Sequence, residues 1–140
     1  AYLHDIGHFV SDTRHHKHSY YLVANSDIPG FTDGERRIVA TLCRYHRKAM
    51  PTMRHQTFES FDADTRRAIL LLAPLLRLAD SLDRSHDQRL TGVDVQLKNG
   101  NVVVALSSPA DTDLELWAAE RTASVFRDIY QMPLTLSKVR

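Results

Sequence analysis

The hydrophobic repeat of this chain changes once, near residue 90, and that change restricts the folds open to it. Upstream, apolar residues recur at helical spacing, as in Ile38, Val39, Leu42, Cys43 and Met50. Downstream, Val93, Val95 and Leu97 alternate with Asp94, Gln96 and Lys98, the period of a strand with one buried face. Asn99-Gly100 is a strong hairpin turn signal, and Val102, Val104 and Leu106 continue the alternation on the second arm. The expected fold is mainly α: a helical domain over residues 1–90, then a small β-β-α-β unit over residues 91–140. A chain of 140 residues, 43% hydrophobic and 25% charged, buries enough surface to fold without staples.

The element boundaries follow from local chemistry. Short helical segments are expected at Tyr2–Val10 and His15–Asn25, the second stopping before the Pro29-Gly30 turn pair. Thr32 and Glu35 stand three apart as a capping box, opening a helix from Asp33 to about Met50 that Pro51 ends. Met50 to Phe61 is expected as a loop. Asp62 or Asp64 then caps a long helix to about Arg84, apolar on most sides and therefore central. Thr112 and Glu115 form a second capping box, opening a helix to about Tyr130 with Leu114, Trp117, Ala118, Val125 and Ile129 on one face. Leu134–Leu136 is expected as a last strand after Pro133.

Absences exclude several classes. Cys43 is the only cysteine, so there is no disulfide framework, and a reducing, cytoplasmic compartment is expected. The longest apolar stretch, Ala68 to Leu76, contains Pro74 and falls well short of the ~20 residues of a membrane helix. A formal net charge of +1 and little aromatic interleaving argue against nucleic acid as partner. The opening Ala1-Tyr2-Leu3-His4-Asp5 reads as the middle of an element, so a chain cut at its N-terminal side is expected.

Seven of the eight histidines fall within the first 55 residues. His4 and Asp5 are adjacent, and an imidazole with a carboxylate suits a six-coordinate divalent ion; an ordinary polar pair is the bland reading. Asp80 shares a helix face with Leu76 and Ala73, where an acid is costly unless metal-bound or salt-bridged, and both readings stay open. His46 follows the core stripe of Val39 and Leu42, as a satisfied core histidine or a ligand. His18, four before Leu22, faces inward, whereas His15 and His16 at the start of that helix look exposed. His8 shares a face with His4 and is a candidate ligand or phosphate contact. His55 and His86 are read as surface residues, and Cys43 as core. Arg44, Arg47 and Lys48 crowd a helix C-terminus, where the helix dipole alone favours cations; a phosphate-binding patch is the functional alternative.

In order and spacing, His4-Asp5, His18, His46 and Asp80 resemble the HD superfamily of metal-dependent phosphohydrolases, with Leu3–Gly7 and Leu78–Asp83 similar to its signature strings. A closer resemblance covers most of residues 2 to 85. His15–Leu22, Asn25–Phe31 and Arg44–Ala49 look like the C-terminal HD-like region of the exopolyphosphatase/guanosine pentaphosphate phosphatase family. The β-β-α-β tail is similar by pattern only.

That resemblance implies an HD-type helical domain, N-terminally truncated, from an enzyme releasing terminal phosphate from polyphosphate or guanosine pentaphosphate. It implies that the main catalytic module, actin-like and N-terminal, is a partner outside this chain, and that the protein is a homodimer. It assigns His4, Asp5, His18, His46 and Asp80 to a divalent metal, Mg or Mn. Asp5 and His8 would serve catalysis, and Arg44, Arg47 and Lys48 would bind phosphate. A self-sufficient HD phosphohydrolase acting on nucleotides or phosphate esters is one alternative. A non-catalytic interaction module with structural histidines is another.

Overall fold

A computed structural model describes residues 1–139 of the chain. It is mainly α with a small sheet. A turn leads into a 3-10 helix, Ile6–Phe9, followed by α1 (His15–Ala24), α2 (Asp33–Tyr45), α3 (Gln56–Glu59) and α4 (Ala63–Leu82). Then come β1 (Gly92–Lys98), β2 (Asn101–Ser107), α5 (Asp113–Tyr130) and β3 (Leu134–Val139). No helix among the described residues is long and apolar enough to cross a membrane.

The chain divides into two units, Ala1–Leu76 and Arg77–Arg140, with the break inside α4. Packing explains the position. Leu78, with Leu82 beside it, joins a core with Val104, Leu106, Ala119, Ala123, Phe126 and Leu134, so the last turns of α4 belong with the sheet. Pro74, lacking an N–H, removes one bond from the helix ladder just before the break. The first unit has two apolar clusters. Val23, Ala40 and Cys43 hold α1 to α2, and Phe58, Phe61 and Ile69 gather α3, the following turn and α4.

The expected caps are realised unevenly. Thr32 and Glu35 form their capping box, and the Thr32 N–H donates to Glu35 Oε2 at 2.8 Å. At the next helix Asp62 wins over Asp64: its Oδ1 accepts the Thr65 N–H at 2.9 Å. The second box does not form. Glu115 is buried, and its Oε1 accepts the Ser85 N–H at 3.0 Å, tying down the loop after α4 instead of capping α5. Burial alone would raise the Glu115 carboxyl, but that bond and the nearby Arg89 hold it below its ordinary value.

Other elements differ from expectation for physical reasons. Tyr2–Val10 is a turn and a 3-10 helix, not an α-helix. The helix expected to reach Met50 ends at Tyr45, because His46 folds back on Cys43 and Lys48 takes a left-handed φ of 61°. The stretch expected as a loop contains α3, which buries Phe58. On α5 the buried face is Glu115, Ala118, Ala119, Ala123 and Phe126, so Leu114 and Trp117 point to solvent. β1 and β2 pair antiparallel around Asn99-Gly100, both at positive φ, and β3 runs parallel to β2 after the α5 crossover.

One close approach sets the geometry of the first unit. Gly7 is buried against α1, and its N–H donates to the Ser19 hydroxyl at 2.9 Å. A Cβ on Gly7 would lie 2.0 Å from the His15 carbonyl oxygen and 2.5 Å from the Ser19 nitrogen, backbone atoms that cannot swing aside. Gly7→Ala is therefore expected to cost about 1–3 kcal/mol or more by overpacking, seen as a lower urea midpoint with an unchanged slope.

Candidate functional site

That approach brings the 3-10 segment over the start of α1 and the end of α2. Three segments thereby place His4, His8, His15 and His46 around the Asp5 carboxylate. His4 Nε2 lies 3.2 Å from Asp5 Oδ2. Around Oδ1 stand the Nε2 atoms of His15 at 3.3 Å, His46 at 3.4 Å and His8 at 3.8 Å. The His15 and His46 Nε2 atoms are 3.2 Å apart. Two groups have ligand atoms close enough to share an ion: His4, Asp5 and His46, and Asp5, His8 and His15.

The far side of each ring is tied, which fixes where the near side points. His46 Nδ1 lies 2.6 Å from the Cys43 carbonyl oxygen, which can only accept, so Nδ1 bears a proton and Nε2 faces the carboxylate. His4 Nδ1–H likewise donates to the Ala1 carbonyl. His8 Nδ1–H donates to the Asp12 carboxylate at 2.7 Å. Three imidazoles thus turn Nε2 towards the Asp5 carboxylate. A proton or a metal cation can lie between a ring nitrogen and the carboxylate. A far nitrogen tied to a carbonyl or carboxylate is how metal-ligating histidines are oriented.

The distances suit an ion. Asp5 Oδ1, His15 Nε2 and His46 Nε2 form a triangle with sides of 3.2, 3.3 and 3.4 Å. Ligands about 2.1 Å from a shared ion stand about 3.0–3.4 Å apart. Hydrogen bonding by His4 and His46 holds the Asp5 carboxyl far below its ordinary range, so the site keeps its negative charge. Burial, with His8 and Arg47 nearby, lowers His15 below its ordinary value.

A cationic pocket lies in the same unit, at the C-terminal end of α2. It measures about 190 Å³ and is lined by His16, Lys17, Arg44, Tyr45, Arg47, Lys48, Ala49 and His55, with no acid among them. Arg44 lies over the rings of Tyr20 and Tyr45, at 5.6 and 5.8 Å. Arg47 Nη1 reaches within 3.4 Å of the His15 ring and so borders both sites. The predicted patch of Arg44, Arg47 and Lys48 is therefore brought together on one concave surface.

The sequence expectations divide here. His4, Asp5, His8 and His46 converge as expected. His15 and His16, expected to be exposed, are buried: His15 in the carboxylate cluster, His16 at the cationic pocket. The cause is tertiary, since the start of α1 lies under Gly7. His18 is half-buried and belongs to neither clustered group. Asp80 is half-buried on the last turns of α4, in the second unit. His55 is half-buried rather than on the surface, its Nδ1 accepting the Thr52 N–H at 3.0 Å. Cys43 is core, its thiol pushed up to about 11 by burial.

The sequence profile of Ppx/GppA phosphatase, domain III, matches residues 1–120, across both units. The chain belongs to the Ppx/GppA phosphatase family. It is 32% identical over 79 residues to the guanosine-5'-triphosphate,3'-diphosphate pyrophosphatase of Pseudoalteromonas translucida (strain TAC 125), covering 56% of this chain and 15% of that protein. It is 31% identical over 121 residues to the protein of the same name from Vibrio atlanticus (strain LGP32), covering 86% of this chain and 23% of that one. The chain thus spans less than a quarter of the length of these two relatives.

Burial, with Lys48 and Arg47 nearby, lowers His16 to about 4. Between about pH 6.5 and 4 the unfolded chain then binds the proton that folded His16 refuses. Stability should be full above pH 6.5 and decline as pH falls to about 4, and His16→Gln should flatten that decline in urea titrations at stepped pH. Asp5 acts lower: its depressed carboxyl stabilises above 3.8, and that contribution fades only as pH falls below it.

Proposed function

We propose that this domain serves an exopolyphosphatase-type phosphohydrolase that releases terminal phosphate from polyphosphate or guanosine pentaphosphate. In this reading it supplies a phosphate-chain pocket and a divalent-metal site, with the main catalytic module elsewhere in the protein. The observation carrying the metal site is the tied Nδ1 and inward Nε2 of His4, His8 and His46 around Asp5. Supporting the anion site is the acid-free lining of the pocket, which offers two arginines and two lysines. The relatives' names, guanosine-5'-triphosphate,3'-diphosphate pyrophosphatase, fit a polyanionic phosphate substrate.

His4, Asp5, His15 and His46 would hold the ion, with His8 and Asp5 facing a second. His18 and Asp80 stay assigned by the resemblance alone. Imidazole donors favour a first-row transition ion such as Mn over Mg, which prefers oxygen. When bound, the ion supplies Lewis-acid polarisation of a phosphoryl oxygen and a lower pKa for its water. Asp5 supplies the negative charge that retains the ion. Asp12 fixes the His8 ring through Nδ1, so that Nε2 faces the site. Arg44, Arg47 and Lys48 offset phosphate charge, and Arg47 orients a phosphate towards the His15 edge.

Titration of Mn into the metal-free chain is expected to show binding that Asp5→Asn abolishes and Asp12→Asn weakens about 10-fold or more. A chain that takes up no transition ion removes the metal site. Affinity for a linear polyphosphate, measured without metal, should fall steeply with salt and drop by more than about 10-fold when Arg44, Arg47 and Lys48 are changed together to Gln. A self-sufficient HD phosphohydrolase is favoured instead by Mn-dependent nucleotidase activity that Asp80→Asn destroys.

A further inference from the structure

Of the arginines and lysines lining the cationic pocket, Arg47 also touches the carboxylate cluster. Its Nη1 lies 3.4 Å from both Nδ1 and Nε2 of His15. That distance is long for a hydrogen bond, and, shared between two nitrogens, it favours neither. Arg47 is exposed, and among the described residues it has no salt-bridge partner. Arg44, by contrast, lies over the rings of Tyr20 and Tyr45. Of the two arginines, Arg47 is thus the weakly held one, able to change partners.

The His15 ring is fixed. It is 3% exposed, it stacks on His8 with ring centroids 3.8 Å apart, and its Nε2 has Asp5 Oδ1 at 3.3 Å and His46 Nε2 at 3.2 Å. An ion held by His15 would lie about 2.1 Å from Nε2, and therefore within about 5.5 Å of Arg47 Nη1. Two demands compete at that ring. The ion needs the Nε2 lone pair, and an arginine, which only donates, occupies the same pair when it bonds there. The ion also sets its own positive charge against the guanidinium. With the ring boxed in, the arginine is the group that gives way, and an oxyanion in the pocket offers it a stronger, charge-assisted partner.

We propose that Arg47 is a switch between the two sites, moving from the His15 ring to a phosphate oxyanion in the pocket and so making metal and phosphate bind cooperatively. Lying on His15, it opposes an ion at Nε2. Turned into the pocket, it releases that edge and adds its charge to the anion site. Both ligands favour the same position of one side chain, so each raises the affinity of the other, by one common factor. The screened attraction between ion and anion acts in the same direction without Arg47, so variants are needed to isolate the arginine. The coupling rests on the metal and phosphate readings given above. It adds an order of events: a chain carrying phosphate in the pocket takes up the ion more readily than one without.

Manganese titrations with and without sulfate test it, with chloride keeping the ionic strength constant and uptake read from loss of the free-ion EPR signal. Saturating sulfate is expected to tighten Mn binding about 5-fold or more, and Mn to tighten sulfate binding by the same factor in calorimetry. Arg47→Gln should bind Mn more tightly than the parent when sulfate is absent, and should lose most of the gain that sulfate brings. Arg44→Gln removes the same charge from the same pocket; it should need more sulfate but keep the gain at saturation. Mn and sulfate that each bind with no effect on the other overturn the coupling and leave both sites standing. A gain that survives in Arg47→Gln, or one that Arg44→Gln abolishes as fully, also overturns it, because the coupling is then charge attraction alone. A chain that takes up no Mn in either condition removes the metal reading and the coupling with it, and one that binds no sulfate does the same for the anion reading.

Discussion

The approach of Gly7 to the first turns of α1 governs the geometry of the first unit. With its N–H on Ser19 and no Cβ to hold the chain off, the 3-10 segment lies directly on the helix start. Asp5 and His8 flank that contact, two residues before and one after, and His15 contributes the carbonyl that Gly7 approaches. The separation of the Asp5 carboxylate from the His15 ring is thus set by backbone packing rather than by side-chain attraction. The tied Nδ1 atoms of His4, His8 and His46 keep the Nε2 edges turned towards that carboxylate.

The end of α2 is the second fixed point. His46 leaves the helix by bonding back to the Cys43 carbonyl, which satisfies one of the acceptors a helix terminus exposes and turns Nε2 inward. The residues after it diverge, and Lys48 at positive φ swings the chain away from the helix axis. One short break therefore sends His46 to the carboxylate and Arg47 and Lys48 to the pocket. The negative end of the helix dipole favours cations on both sides of the break. Arg47 therefore borders both the carboxylate cluster and the cationic pocket.

Much of this was legible in the residues. The Thr32/Glu35 box, the Asn99-Gly100 hairpin and the inward His46 are local patterns, and each forms as its chemistry requires. The second box does not form because Glu115 is buried and turned to the Ser85 N–H instead of back to Thr112. His15 and His16 are buried against expectation because exposure at a helix start is set by what packs over it, here a glycine segment eight residues upstream that no periodicity reports. The rotation of the α5 face has the same origin. Alanines, not the larger Leu114 and Trp117, face the sheet, since close helix-to-strand packing favours small side chains.

The alternation of β1 carries a further lesson about what a period can establish. It identifies which residues share a face, and the register places Val93, Val95 and Leu97 on the core face as the pattern demands. It does not say that the face is covered. A single helix about 10 Å across spans roughly two strands at a spacing of about 4.8 Å. Placed over β2 and β3, α5 therefore leaves the third strand bare. Val93, Val95 and Leu97 therefore stay exposed on the sheet face where Val104 and Leu106 are buried.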